Sequence, residues 1–302
     1  MNWLIVGANG QLGRALCIAL VERGIPFVAY GSEDLDIRSA VLTLQNIAEL
    51  RPEVIVNAAA WTDVDSAEEN TESAHAVNAE GALNLAMAAK AVGAVFAHVS
   101  TDYVFSGMRS FPWSEDDLRA PESVYGKTKA AGEVAVLSHY PEGSYVFRTA
   151  WLYSEWGRNF AKTMTRLALS RVSGDQGPGD VKVVDDQVGQ PTYALDLANQ
   201  IVDAVIAKLP FGIYHATNSG QASWFEFAQE VFKLSGAPVE RVVVTDSSSF
   251  MRPAKRPAYS VLGHGSWKAK GASGVSVEPM RDWRLALHDA MPAIISAVDA
   301  EG

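Results

Sequence analysis

The chain has 302 residues, 48% of them hydrophobic and 20% charged, the balance of a globular protein with a sizeable core. Its formal charge of −10 leaves no basic surplus to neutralise a nucleic-acid backbone, so nucleic acid is not an expected partner. The single cysteine, Cys17, excludes an internal disulfide and, with no basic n-region or cleavage site before "NWLIVGANG", points to a reducing, cytoplasmic setting; no apolar run reaches the roughly 18 residues of a membrane span.

In chain order, "WLIV" (3–6) reads as a strand, followed by a Gly-rich turn and a helical pattern over 12–23. "PFVAY" (26–30) is a second strand, a helical period covers 40–50, and "VIVNAAA" (54–60) is a third strand. A long Ala-rich helix is predicted over 71–92, a fourth strand and its exit over 94–105, a helix from about Tyr125, and a fifth strand over 144–153. Near-continuous apolar strands between helices predict an α/β fold, a Rossmann-like doubly wound parallel sheet covered on both faces. Such sheets place ligands beyond the strand C-termini at the topological switch point.

The second half is less regular. A loop over 173–180 leads to a strand over 181–186, a helix within 191–209 and a strand over 212–218. Ser223 and Glu226 form a capping box for a helix to Leu234; a Ser/Pro/Gly-rich stretch (246–281) precedes a final helix from about Asp282. The expected organisation is a dinucleotide-binding domain over 1–150 and a smaller, mixed α/β lobe over 151–302 that is mainly substrate-binding, with some segments crossing back.

"GANGQLG" places Gly7, Gly10 and Gly13 directly after a strand and at the opening of a helix, with Asn9, Gln11 and Leu12 between them. The glycines permit a tight turn, close approach of a pyrophosphate and close helix–strand packing, and the helix N-terminus offers free N–H groups. Where an NAD-binding second strand ends in a carboxylate, this one ends Tyr30-Gly31-Ser32. That favours NADPH, with NADH the alternative; Arg14 is a candidate for a 2′-phosphate and equally a solvated helix residue. Asp36 and Ile37 are placed beside the adenine.

"SVYGKTKAAGE" (123–133) spaces Tyr125 and Lys129 four apart, on one helix face, where the ammonium is expected to lower the phenol's pKa. Tyr125 then exchanges a proton with an alcohol or ketone oxygen, and Lys129 also holds ribose hydroxyls. Thr101, at the end of the fourth strand, supplies a hydroxyl for the substrate carbonyl, while Ser100 turns inward. The six histidines show no metal-ligand spacing; His98 reads as a core residue, and Asp63 and Asp65 as polar loop residues. No metal is expected.

These stretches, with "VNAEGALNLA", "STDYVFSG", "DDQVGQPTYALDLA" and "KRPAYSVL", resemble the extended short-chain dehydrogenases/reductases acting on nucleotide sugars, and within them the dTDP-4-dehydrorhamnose reductase family. The resemblance implies NAD(P)H-dependent reduction of the C4 ketone of dTDP-4-dehydro-β-L-rhamnose, with Tyr125 as proton donor. It implies that Ala58, Ala59 and Ala60 pass along the cofactor, and that Thr62, Val64, Thr101, Asp102 and Trp151 meet the sugar or nicotinamide. Core packing is an equal reading for Trp151. Asn159 and Arg256 fall where related enzymes bind the nucleotide diphosphate, loop stabilisation being the rival. Some members are Mg²⁺-linked dimers using glutamates near the first helix; Ala15 stands at one such position, so neither Mg²⁺ nor that dimer is expected, and a monomer or homodimer stays open. Tyr103 replaces the Glu of a dehydratase Asp–Glu pair, which points to plain reduction. Alternatives are a ketoreductase for another dTDP-deoxysugar and a non-catalytic NADP-binding regulatory subunit.

Overall fold

The computed structural model describes residues 1–170, 179–272 and 274–301, and the loop expected over 173–180 lies outside them except at its last two positions. The N-terminal half runs β1 (Trp3–Val6), α1 (Gln11–Glu22), β2 (Phe27–Tyr30), α2 (Ala40–Leu50), β3 (Val54–Asn57), α3 (Val64–Glu69), α4 (Thr71–His75), a π-helical turn (Ala76–Glu80), α5 (Gly81–Val92), β4 (Val95–Thr101), α6 (Val124–His139) and β5 (Ser144–Thr149). It continues through β6 (Leu152–Tyr153), α7 (Phe160–Leu169), β7 (Val181–Val184), β8 (Val188–Gly189), β9 (Thr192–Tyr193), α8 (Ala194–Ile206), β10 (Gly212–His215), β11 (Ala222–Ser223), α9 (Trp224–Leu234), β12 (Val242–Thr245) and α10 (Trp283–Glu301).

Six parallel strands form the main sheet in the order β10-β5-β4-β3-β1-β2. The chain steps from β1 to β2 on one side and then to β3 on the other. The strand order therefore reverses between β1 and β3, which opens a crevice at their C-terminal ends. All eight residues of β1 and β3 are buried, because helices cover both faces. Trp3 and Ile5 pack with the buried stripes of α1 and α8, while Leu4, Val6 and Ile55 pack with α5 and α6. The small side chains Ala82, Ala86 and Ala89 let α5 lie close to the sheet.

Three predicted elements differ. The helix over 71–92 is broken into α4, the π turn and α5. At the π turn the Asn78 side chain accepts from Trp61 N at 2.9 Å and donates to Trp61 O and Thr128 Oγ1, which ties the cavity-side loop to α6. The strand over 144–153 stops at Thr149, since Trp151 adopts φ +46°, a left-handed backbone that ends strand geometry. Of the two expected loop carboxylates, Asp63 lies just outside α3 and caps it by accepting from Ser66 N, whereas Asp65 sits in its first turn. The capping box at Ser223 and Glu226 forms as expected. The strand from the C-terminal half, β10, pairs with β5 in the main sheet.

One buried carboxylate joins the elements around the crevice. Glu133 of α6 accepts from Ser100 Oγ of β4 at 2.5 Å, from Arg148 Nε and Nη2 of β5 at 2.9 and 2.8 Å, and from Arg119 Nε at 2.6 Å. Glu133 and Arg148 are 0% and 1% exposed. Removing one partner of a buried pair strands the other charge. Glu133→Gln is therefore expected to lower stability by about 3–5 kcal/mol in chemical denaturation; a loss near zero would show that the node carries no structural weight.

Candidate active site

A cavity of about 940 Å³ opens at the C-terminal ends of β1, β3 and β4. Its floor is the glycine loop. Gly7 has φ +82°, and a Cβ there would come 2.5 Å from Ala59 N; a Cβ on Gly13 would come 2.2 Å from Gly7 O. The turn thus closes only without side chains at both positions. Gly10 caps α1 without any side-chain hydrogen bond, so the first N–H groups of the helix are left for something in the cavity, a cradle that suits a diphosphate.

Gly7, Asn9, Gly10, Gln11 and Leu12 line this cavity, as do Asp36 and Ile37 at one end and Ala58, Ala59 and Ala60 along the side. Gly13 is buried beneath the loop and serves packing. Arg14 is not on the wall; it is exposed, and its Nε donates to Asn9 O at 3.2 Å. The cation that does face the cavity there is Arg38, which grips Asp36 through Nε and Nη2, both at 2.8 Å. Sequence reading passed over Arg38, although its place two residues after Asp36, beyond a strand end lacking a carboxylate, was a usable signal.

Asn57 orients the adjoining wall. Its Nδ2 donates to His98 Nδ1 at 3.1 Å and its Oδ1 accepts from Ala59 N at 3.1 Å. Burial, helped by the nearby Lys129 charge, holds His98 well below its usual pKa, so a neutral imidazole accepts that bond. His98 is 1% exposed, a core residue as expected.

Thr101, Tyr125 and Lys129 meet on the cavity wall. Ser123 caps α6 by accepting from Gly126 N, which starts the helix one residue before Tyr125. Burial pushes the Tyr125 phenol up to about 12; the Thr101 hydroxyl beside it works against that rise and Asp102 adds to it. Thr101 Oγ1 gives its own proton to Asp102 Oδ1 at 3.0 Å and accepts from Tyr103 N at 3.2 Å. The Tyr103 ring meets Tyr125 edge-on, centroids 5.6 Å apart.

The expected effect of Lys129 on the phenol is not what the arrangement produces. Lys129 is 2% exposed and Nζ donates to Val99 O at 2.6 Å. Burial lowers it to about 8, with Glu133 working the other way. Tyr125 therefore keeps its proton at neutral pH, as a general acid must.

Thr62, Val64 and Trp151 also reach the wall. Trp151 stacks on Trp224 with centroids 3.5 Å apart and planes 9° apart, so an aromatic slab from β6's approach and α9 forms the far side. Trp224, Tyr103 and Arg158 were not expected. Two further sequence candidates, besides Gly13 and Arg14, lie off the wall. Asn159 caps α7, accepting from Lys162 N at 2.9 Å and donating to Gln11 Oε1 at 3.0 Å. Arg256 forms a two-pronged pair with Asp65, at 2.5 and 2.8 Å, so its fork is already filled.

The sequence family described as "RmlD substrate binding domain" matches residues 1–295. The chain belongs to this family. Among its relatives, a dTDP-4-dehydrorhamnose reductase from Streptomyces griseus is 47% identical over 297 residues, 97% of this chain and 94% of that protein. A dTDP-4-keto-6-deoxy-D-glucose reductase from Streptomyces niveus is 40% identical, covering 97% of both chains. A solved structure, the dTDP-4-dehydrorhamnose reductase of Bacillus anthracis in complex with NADP, superposes with a TM-score of 0.88 at 36% identity, covering 96% of this chain and 98% of that one. Among the described residues of this RmlD-family chain, no group of His, Cys, Asp and Glu is arranged to hold a metal, and no helix is long and apolar enough to cross a membrane.

Asp102 sets a pH signature for the RmlD-family site. It is 2% exposed, and burial raises it to about 6 against the pull of the Ser260 and Thr101 hydroxyls. A carboxyl with a raised folded value favours the folded state while protonated and opposes it as pH climbs through about 6. Asp102→Asn should therefore stabilise the protein by roughly 1–3 kcal/mol at pH 8, with the gain shrinking towards zero near pH 4. Denaturation midpoints at the two pH values check this; a variant less stable than wild type at pH 8 contradicts it.

Proposed function

We propose that the chain reduces the C4 ketone of dTDP-4-dehydro-β-L-rhamnose to dTDP-β-L-rhamnose, with Tyr125 as proton donor and NADPH as cofactor. The observation that carries the reading is the meeting of Tyr125, Thr101 and Lys129 on the wall of the cavity floored by the glycine loop. The relatives support it: proteins 47% and 42% identical, matched over 94% and 86% of their own length, are named dTDP-4-dehydrorhamnose reductase.

NADPH supplies the hydride when bound. The glycine loop and the opening of α1 would take its diphosphate, and Arg38, exchanging the Asp36 carboxylate for phosphate oxygens, would take the 2′-phosphate. Thr101 turns its hydroxyl from Asp102 to the carbonyl oxygen and so orients it against Tyr125, whose proton, retained by burial, passes to that oxygen as the C4–H bond forms. Lys129, protonated below about pH 8, holds α6 to the end of β4 through Val99 O and faces the ribose side. Having both Tyr125 and Lys129 on the wall argues against a regulatory subunit.

A second reading, a 4-ketoreductase for another dTDP-deoxysugar, has its own support. A Streptomyces antibioticus protein named as a probable dTDP-4,6-dihydroxy-2-methyloxan-3-one 4-ketoreductase is 44% identical over 98% of this chain. Loss of NADPH absorbance with a panel of dTDP-4-keto sugars separates the two, by which sugar gives the highest kcat/KM.

Tyr125→Phe is expected to lower kcat by about 10²–10⁴-fold with NADPH affinity within a few-fold of wild type; turnover near the wild-type rate would remove Tyr125 from the proton-donor role. Arg38→Ala should raise the KM for NADPH by about tenfold or more while leaving that for NADH nearly unchanged. Equal effects on both nicotinamides would contradict the 2′-phosphate contact.

A further inference from the structure

We propose that Arg158 is an anion-binding residue that reaches a diphosphate from a turn packed against the glycine loop. The inference rests on the function proposed above, which brings two diphosphate-bearing ligands into a protein of formal charge −10. Three cations line the cavity: Arg38, Lys129 and Arg158. Arg38 is engaged by Asp36. Lys129 is buried, with Nζ on Val99 O. Arg158 is exposed and, among the described residues, makes no hydrogen bond, ion pair or ring contact.

An unpaired arginine on a surface is ordinary; its placement here is not. The turn that carries Arg158 is strapped to Gln11, the first residue of α1. Gln11 Oε1 accepts from Ser154 Oγ and from Asn159 Nδ2, each at 3.0 Å. A Cβ added to Gly157 would come 3.4 Å from Gln11 Cγ. On its other side, Asn159 is locked as the cap of α7. Arg158 is thus held between a turn packed on the phosphate loop and a helix cap, with its guanidinium unpaired among the described residues. A planar fork matches two phosphate oxygens, which a lysine ammonium does not. Asn159, a candidate ligand contact by sequence, becomes the residue that positions Arg158.

The diphosphate could be that of the dinucleotide or that of the nucleotide sugar; proximity to Gln11 favours the dinucleotide. Titration calorimetry without turnover distinguishes them, with NADPH and dTDP added separately to wild type, Arg158→Ala and Arg158→Lys. The expected result is about tenfold or greater weakening of one ligand in Arg158→Ala, partial recovery in Arg158→Lys, and a flatter dependence of that Kd on salt. Weakening of NADPH places the contact on the dinucleotide, and weakening of dTDP places it on the sugar nucleotide. Both Kd values within twofold of wild type would overturn the inference. Wild-type protein binding neither ligand would overturn the proposed function itself, a result visible before any variant is made.

Discussion

Ser100, Arg119 and Arg148 come from three separate stretches of chain, and all donate to the two oxygens of Glu133. A carboxylate with no solvent exposure is tolerable only with such a complement of donors. With them, Glu133 stays ionised, its pKa held low by Arg148, Ser100 and Arg119 against burial. The consequence for the site is positional. Ser100 immediately precedes Thr101 on β4, and Glu133 lies two helical turns from Tyr125 on α6. The bond between them sets the strand end against the helix, and so the hydroxyl against the phenol.

The same node reaches into the C-terminal half. Arg148 Nη1 donates to Glu115 O at 3.2 Å and meets His215 Nε2 at 3.2 Å. Burial, with the Arg148 charge, pushes His215 down to about 3. The neutral ring can therefore accept from Arg148 and donate through Nδ1 to Gly263 O at 2.8 Å. A titrating histidine here would place two cations side by side; the low pKa removes that conflict. Strands β4, β5 and β10 and the segment around Gly263 are thus joined through one polar chain.

An acidic protein built to take anionic ligands has to provide positive potential locally. The cavity does so mostly through backbone N–H groups at the capless start of α1, which need no counter-ion. Its cationic side chains are few. Burial likewise governs how Tyr125 and Lys129 titrate: it keeps the proton on Tyr125 and weakens that on Lys129. The environment of the cavity, rather than the charge spacing along α6, decides how these two groups titrate.

Much was legible in the sequence because it depends on neighbours in the chain. Runs such as "WLIV" and "VIV" are apolar throughout because both sheet faces are covered, and Gly7 and Gly13 mark a βα turn that admits no side chains there. Tyr125 and Lys129 share a helix face by spacing alone. Contacts between distant residues were not legible. The break of the long helix follows from Asn78 reaching Trp61 and Thr128, and the end of β5 from the left-handed turn at Trp151. Arg256 was filled by Asp65, 191 positions away, and Asn159 was diverted to Gln11, 148 positions away. Periodicity, spacing and turn chemistry determined the elements, the loop and the shared helix face of Tyr125 and Lys129. Which polar groups remain free to meet a ligand was decided only when folding had paired the others.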